Sequence, residues 1–103
     1  MNIDEDLIVR AVCMKMGDAI VIFAYQGEPK MGAMVMKPYS QFPDPPLILF
    51  EGRNVETSIA LANLLSGLLK RGVFVSSNLD PSKVPIQTLA KDLSRFIIDN
   101  FDF

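Results

Sequence analysis

Gly72-Val-Phe-Val-Ser-Ser-Asn-Leu79 is the stretch that decides the fold. Three apolar residues in succession, two of them β-branched, describe a buried strand. The Ser-Ser-Asn-Leu continuation then runs toward a turn. Helical patterns lie on both sides of this strand, which therefore stands apart from the β-rich first half of the chain.

Upstream, Asn54 is placed as a helix N-cap, with Glu56 favourably set at the positive end of the helix dipole. Leu61, Ala62, Leu65, Leu68 and Leu69 recur at helical spacing, with Leu64 beside them. Lys70 and Arg71 in the last turn and Gly72 just beyond it are the expected stop signals. Gly67, inside that helix, is expected to permit close packing. Downstream, Asn78-Leu-Asp-Pro-Ser82 turns the chain, and Pro85 suits the first position of a second helix, where its missing N–H costs nothing. Ile86, Leu89, Ala90, Leu93, Ile97 and Phe101 form one stripe along that helix.

Further out the period changes to that of strands. Leu7 to Met16 and Ala19 to Tyr25 are apolar runs separated by Gly17-Asp18, a hairpin signal because Gly supplies the positive φ of a tight turn. Gln26 to Lys30 is a turn, Met31 to Lys37 a third strand that Pro38 ends, and Leu47 to Glu51 a short fourth. Between the last two, Tyr39 to Pro46 holds three prolines that cannot donate to a ladder, so it is a loop.

The expected order is β-β-β-β-α-β-α: a single α+β domain over residues 1–103, with a mainly antiparallel sheet of five to six strands and two helices on one face. A sheet covered on one side alternates apolar with polar residues. Here Val21, Phe23 and Tyr25 oppose Ile20, Ile22 and Ala24, and Ala33 and Val35 oppose Met34 and Met36, so both faces are apolar. Two helices of 15 residues or so cover one face, and the other is expected to stack on a partner subunit. Burying ~800 Å² per partner at ~25 cal/mol/Å² gives a gross drive of roughly 20 kcal/mol per side before association costs. The candidate contact residues are Ile20, Ile22, Met34, Met36, Val73 and Val75.

Composition narrows the chemistry. Of 103 residues half are hydrophobic, yet no apolar run approaches the ~20 residues a bilayer needs. The acidic start Met-Asn-Ile-Asp-Glu-Asp lacks the basic region of a signal peptide, which points to an intracellular, soluble protein. A net charge of −2 and scattered basic residues argue against nucleic acid or anionic membranes. Cys13 is alone, so it reads as a small hydrophobe in a strand. Histidine is absent, which removes the commonest general base and metal ligand. Ser76-Ser77 has no activating base near it in sequence, so hydrogen bonding at a strand end is its reading. The six glycines are spread singly and form no phosphate loop. Asp4, Glu5 and Asp6 read as a solvated arm, and Asp99 and Asp102 as solvating groups. The methionines suit either an adaptable binding surface or ordinary core filling. No enzyme activity, cofactor or metal is therefore expected.

These elements, from about Leu7 to Phe101, resemble the proteasome assembly chaperone 4 family. The resemblance runs through the Gly17-Asp18 hairpin, the Phe50-Glu-Gly52 strand end before a Leu-rich helix, and Val73-Phe-Val-Ser-Ser-Asn-Leu79 in its place ahead of a helix ending near Asn100-Phe101. It implies a small non-catalytic α+β protein that pairs with a proteasome assembly chaperone 3-like subunit. The heterodimer binds proteasome α-type subunits, α5 in particular, while the α-ring of the 20S core particle forms; the expected compartment is the cytoplasm, with the nucleus left open. A homodimer in isolation is compatible with it. The end Phe101-Asp102-Phe103 departs from the hydrophobic-Tyr-any tripeptide with which some other proteasome factors dock into α-ring pockets, so that mechanism is not carried over. The acidic arm and the proline-rich loop are not part of the match. A generic dimeric scaffold of longin or roadblock-like kind is the alternative, and those modules place a helix earlier among the strands. A small enzyme with a site at a dimer interface is a third reading, which needs a pocket of convergent polar groups.

Overall fold

A computed structural model of the chain describes residues 9–27, 32–39, 45–80 and 82–101. The elements are β1 (Arg10–Met16), β2 (Ala19–Tyr25), β3 (Met34–Lys37), β4 (Leu47–Phe50), α1 (Val55–Leu69), β5 (Val73–Asn78) and α2 (Ile86–Asn100). Type and order agree with the sequence reading. The expected strand extensions over Leu7, Ile8 and Met31 lie outside the described residues. So do the acidic start, the turn at 28–30, the proline-rich loop at 40–44, and Asp102 and Phe103.

β1 and β2 form the expected hairpin, with Met16 opposite Ala19 and Gly17 at φ 62° in the turn between them. The sheet, however, is not a mainly antiparallel meander. Its order is β1-β2-β5-β3-β4, and it is mixed: β5 runs parallel to β2 and antiparallel to β3. The physical reason lies in the connection through α1. A helix that follows β4 and packs on the sheet returns the chain for a strand in the direction of β4, and β5 takes the central place between β2 and β3. Central strands are screened on both edges, and the continuous apolar start Val73-Phe-Val75 fits that place.

Both helices lie on one side of the sheet, where α1 packs on β5 and β3 and α2 packs on α1. The core between the layers is Ile20, Ile22, Ala24, Val35, Val73 and Val75 from the sheet, with Leu61, Ala62, Leu65, Ala90, Leu93 and Ile97 from the helices. The α2 stripe is as expected, with Ile86, Leu89 and Phe101 packed against the core at its margins.

Three helix-end details differ from expectation. Pro85, with φ −72° and ψ 106°, is the residue before the helix rather than its first position. The left-handed residue that ends α1 is Lys70 (φ 55°, ψ 44°), whose N–H donates to the Ser66 carbonyl, and not Gly72. Gly67 is exposed with open space where a Cβ would stand, so it mediates no close packing.

Candidate protein-interaction face

The register of the five strands sorts the paired side chains of the sheet to one face or the other, with Leu49 left without a register partner at an irregularity between β3 and β4. On the side away from the helices, two rows cross the whole sheet. One is Met14, Val21, Phe74, Met36 and Leu47; the other is Val12, Phe23, Ser76, Met34 and Phe50. Nine of these ten residues are apolar and none is charged. Neighbours in a row are about 4.8 Å apart, so each row is about 19 Å long. Tyr25 extends the patch above Phe23, with the two rings 5.2 Å apart at 43°, and Arg10, paired with Tyr25, is the charge at its corner.

None of the described helices covers this face. Val12, Met14, Met16, Leu47 and Phe50 are 48, 55, 58, 59 and 62% exposed, Val21, Phe23, Tyr25, Met34, Met36 and Phe74 are half-buried, and Ser76 among them is buried. Monomeric proteins seldom leave so continuous an apolar surface in water. The helix-covered face differs at its borders. Its outer positions carry Lys15, opposite Ile20, and Lys37, opposite Val73, where the helix layer gives way to solvent.

This geometry corrects the candidate contact set. Met34 and Met36 stand on the open face. Ile20, Ile22, Val73 and Val75 are on the opposite face, fully buried under the chain's own helices, and a residue shielded in this way cannot also meet a partner. Alternation separates two apolar sets in each strand but does not say which one the helices take. The chemical difference between the sets was the available signal. The helix side holds β-branched and small residues that interlock with a rigid layer, whereas the open side adds four methionines and four aromatics to Val12, Val21 and Leu47. Val12, Met14, Phe23, Leu47, Phe50 and Phe74 were missed for that reason.

A buried polar seam pins the upper end of the sheet. Ser77 and Ser58 share a 2.7 Å hydroxyl hydrogen bond, and Ser58 also donates to the Ala33 carbonyl at 3.3 Å. Ser76 donates to the Gly32 carbonyl at 3.4 Å. Both serines of the motif are thus fully buried hydrogen-bonding groups. Asn54 precedes α1 in the left-handed conformation (φ 61°) and makes no side-chain cap; its Oδ1 instead accepts the N–H of Leu79. The motif strand is therefore tied through its Ser-Ser-Asn-Leu end to the start of α1 and to β3.

Other chemistry on the described surface is slight. Asp80 accepts bonds from the Ser82 N–H and hydroxyl, and these hold its carboxyl below the usual carboxylate range. Burial raises the Cys13 thiol, keeping it protonated at neutral pH. Among the described residues no cluster of His, Cys, Asp or Glu is arranged to hold a metal ion, and no helix is long and apolar enough to cross a membrane. No protein-family model matches this chain, and no curated protein matches it.

Proposed function

We propose that this chain is a non-catalytic chaperone for assembly of the 20S proteasome core particle. It acts in the cytoplasm as half of a heterodimer with a proteasome assembly chaperone 3-like subunit, and the pair binds α-type subunits, α5 in particular, while the α-ring forms. The observation that carries this reading is the open sheet face, apolar from β1 to β4 and uncharged along both rows. Such a face calls for a protein partner, and a partner of the same α+β build presents a sheet of matching width.

Element order adds support. Four strands precede the first helix, as the chaperone resemblance requires, whereas longin and roadblock-like scaffolds interrupt their strands with a helix earlier. The seam supports a structural rather than catalytic use of these clustered hydroxyls, since Ser58, Ser76 and Ser77 are engaged in hydrogen bonds that hold backbone in place.

The test is affinity capture of the tagged chain from its native host. The expected result is recovery of a second small α+β subunit and of free α-type subunits, without mature core particle. Recovery of neither overturns the assignment. Glutamate at Phe74 or Phe23 is expected to abolish capture of the small subunit, because each row would then carry a carboxylate into a desolvated contact.

A further inference from the structure

We infer that, when no other subunit is present, the open sheet face is covered by a second copy of this chain, sheet stacked on sheet with the helices outside. The shape of the patch selects the occupant. The chain's own helix pair leaves Ala11 and Lys15 of β1 and Ile48 of β4 exposed on the covered side. On the open side the apolar rows instead reach both outer strands, ending in Val12 and Met14 at one border and Leu47 and Phe50 at the other. A cover that shields the full width of five strands is a layer as wide as this sheet, and a second copy supplies one.

Area and charge agree with self-pairing. At roughly 200 Å² for a large side chain, the five half-exposed and six partly covered residues leave on the order of 800 Å² open. A stable interface of standard size buries about 800 Å² on each partner, so one twin suffices. In a two-fold contact each patch meets itself, and like charges would then repel. Neither row holds a charge, so no like charges meet across the two rows, and Arg10 stands at a corner of the patch, away from its centre. β5 is the middle strand of the five, which puts Phe74 at the centre of the patch, where the two-fold axis would pass. The flanking methionines are adaptable enough to interlock with their symmetry mates.

The inference shares the open face with the chaperone reading but not its client. A monomeric free chain would sink self-pairing and leave the capture experiment standing, whereas a dimer that recovers no proteasome subunit would do the reverse.

The experiment is sedimentation equilibrium of the purified full chain, with native mass spectrometry, at tens of micromolar and below. The expected species has twice the 11.4 kDa chain mass. Met14→Glu and, at the opposite border, Leu47→Glu each weaken association by about 100-fold or more, since a carboxylate is buried on both sides of the contact. Both sites are more than half exposed in the single chain, so circular dichroism is expected to show an intact fold, and either variant decides the matter if the other fails to fold. Phe96→Glu, on the outer side of α2, leaves the dimer unchanged. A wild-type chain of single mass overturns the inference. So does wild-type association of the border variants, which would mean that a helix or another surface makes the contact, and so does loss of the dimer in Phe96→Glu.

Discussion

Gly32→Ala is the most informative single test of the fold. Gly32 precedes β3 where the sheet, the start of α1 and the end of β5 converge. A methyl group there falls within contact distance of the Ser77 carbonyl and lies 2.7 Å from the Arg53 carbonyl. Both neighbours are backbone and cannot swing aside. Relief requires β3 to draw away from β5 and from the start of α1. That movement strains the Ala33 N–H to Arg53 bond (2.8 Å) and the Ser76 and Ser58 hydroxyl bonds to the Gly32 and Ala33 carbonyls. Overpacking costs about 1–3 kcal/mol, and each weakened hydrogen bond adds about 1 kcal/mol, so a loss of roughly 3–5 kcal/mol is expected. Against a total of about 5–15 kcal/mol this is a large fraction. The assay is urea and thermal unfolding by circular dichroism, where the loss corresponds to a Tm lowered by about 15–30 °C. Gly52→Ala, whose nearest contact is 3.3 Å, serves as the milder comparison. A Gly32→Ala protein within about 1 kcal/mol of wild type would refute the close approach of β3 and β5.

Three other outcomes are expected. Gly67→Ala, in exposed α1 with open space at the new Cβ, stabilises by about 0.5–1 kcal/mol in urea unfolding, through helix propensity alone. A double-mutant cycle of Ser58→Ala and Ser77→Ala gives a coupling of about 1 kcal/mol, because either single change leaves a buried hydroxyl with one partner fewer; a coupling of zero would mean the 2.7 Å bond contributes nothing. Cys13 alkylates with iodoacetamide at neutral pH more slowly in the fold than in urea, since burial raises its pKa and makes thiolate scarcer. By the same sign, stability declines as pH rises past the ordinary value of 9.0, where the unfolded chain ionises first; a folded rate equal to the unfolded one would contradict both statements.

Local chemistry made most of the elements legible. Gly17-Asp18 marked the hairpin, Pro38 the end of β3, and the 3, 4 and 7 spacing the buried stripe of α2, because each is a preference of the residues themselves. Strand order is a different kind of property. Insertion of β5 between β2 and β3 depends on how the chain returns from α1, and no residue of β5 names its neighbours. Its unbroken Val-Phe-Val start was nonetheless a sign of a central strand with edges paired on both sides. The interface set failed in a similar way. Alternation put Ile20 and Met34 on apolar faces alike, and only the structure shows that Ile20 and Val73, with Lys15 and Lys37 as register partners, lie on the face that the helices cover. Asn54 stands before α1 as expected, but its side-chain Oδ1 accepts the N–H of Leu79, 25 residues away, a partner no local pattern indicates.

The claim beneath this account is that a protein layer covers the methionine side of the sheet in solution. Oxidative footprinting of the wild-type assembly, compared with the Met14→Glu chain, addresses it directly through Met16, Met34, Met36 and Phe74. Strong protection of these residues in the assembly is expected, with Leu68, Phe96 and Ile98 on the helices labelled equally in both samples. Equal labelling of Met16 and Phe74 in the two would contradict the claim and leave this face bare to water.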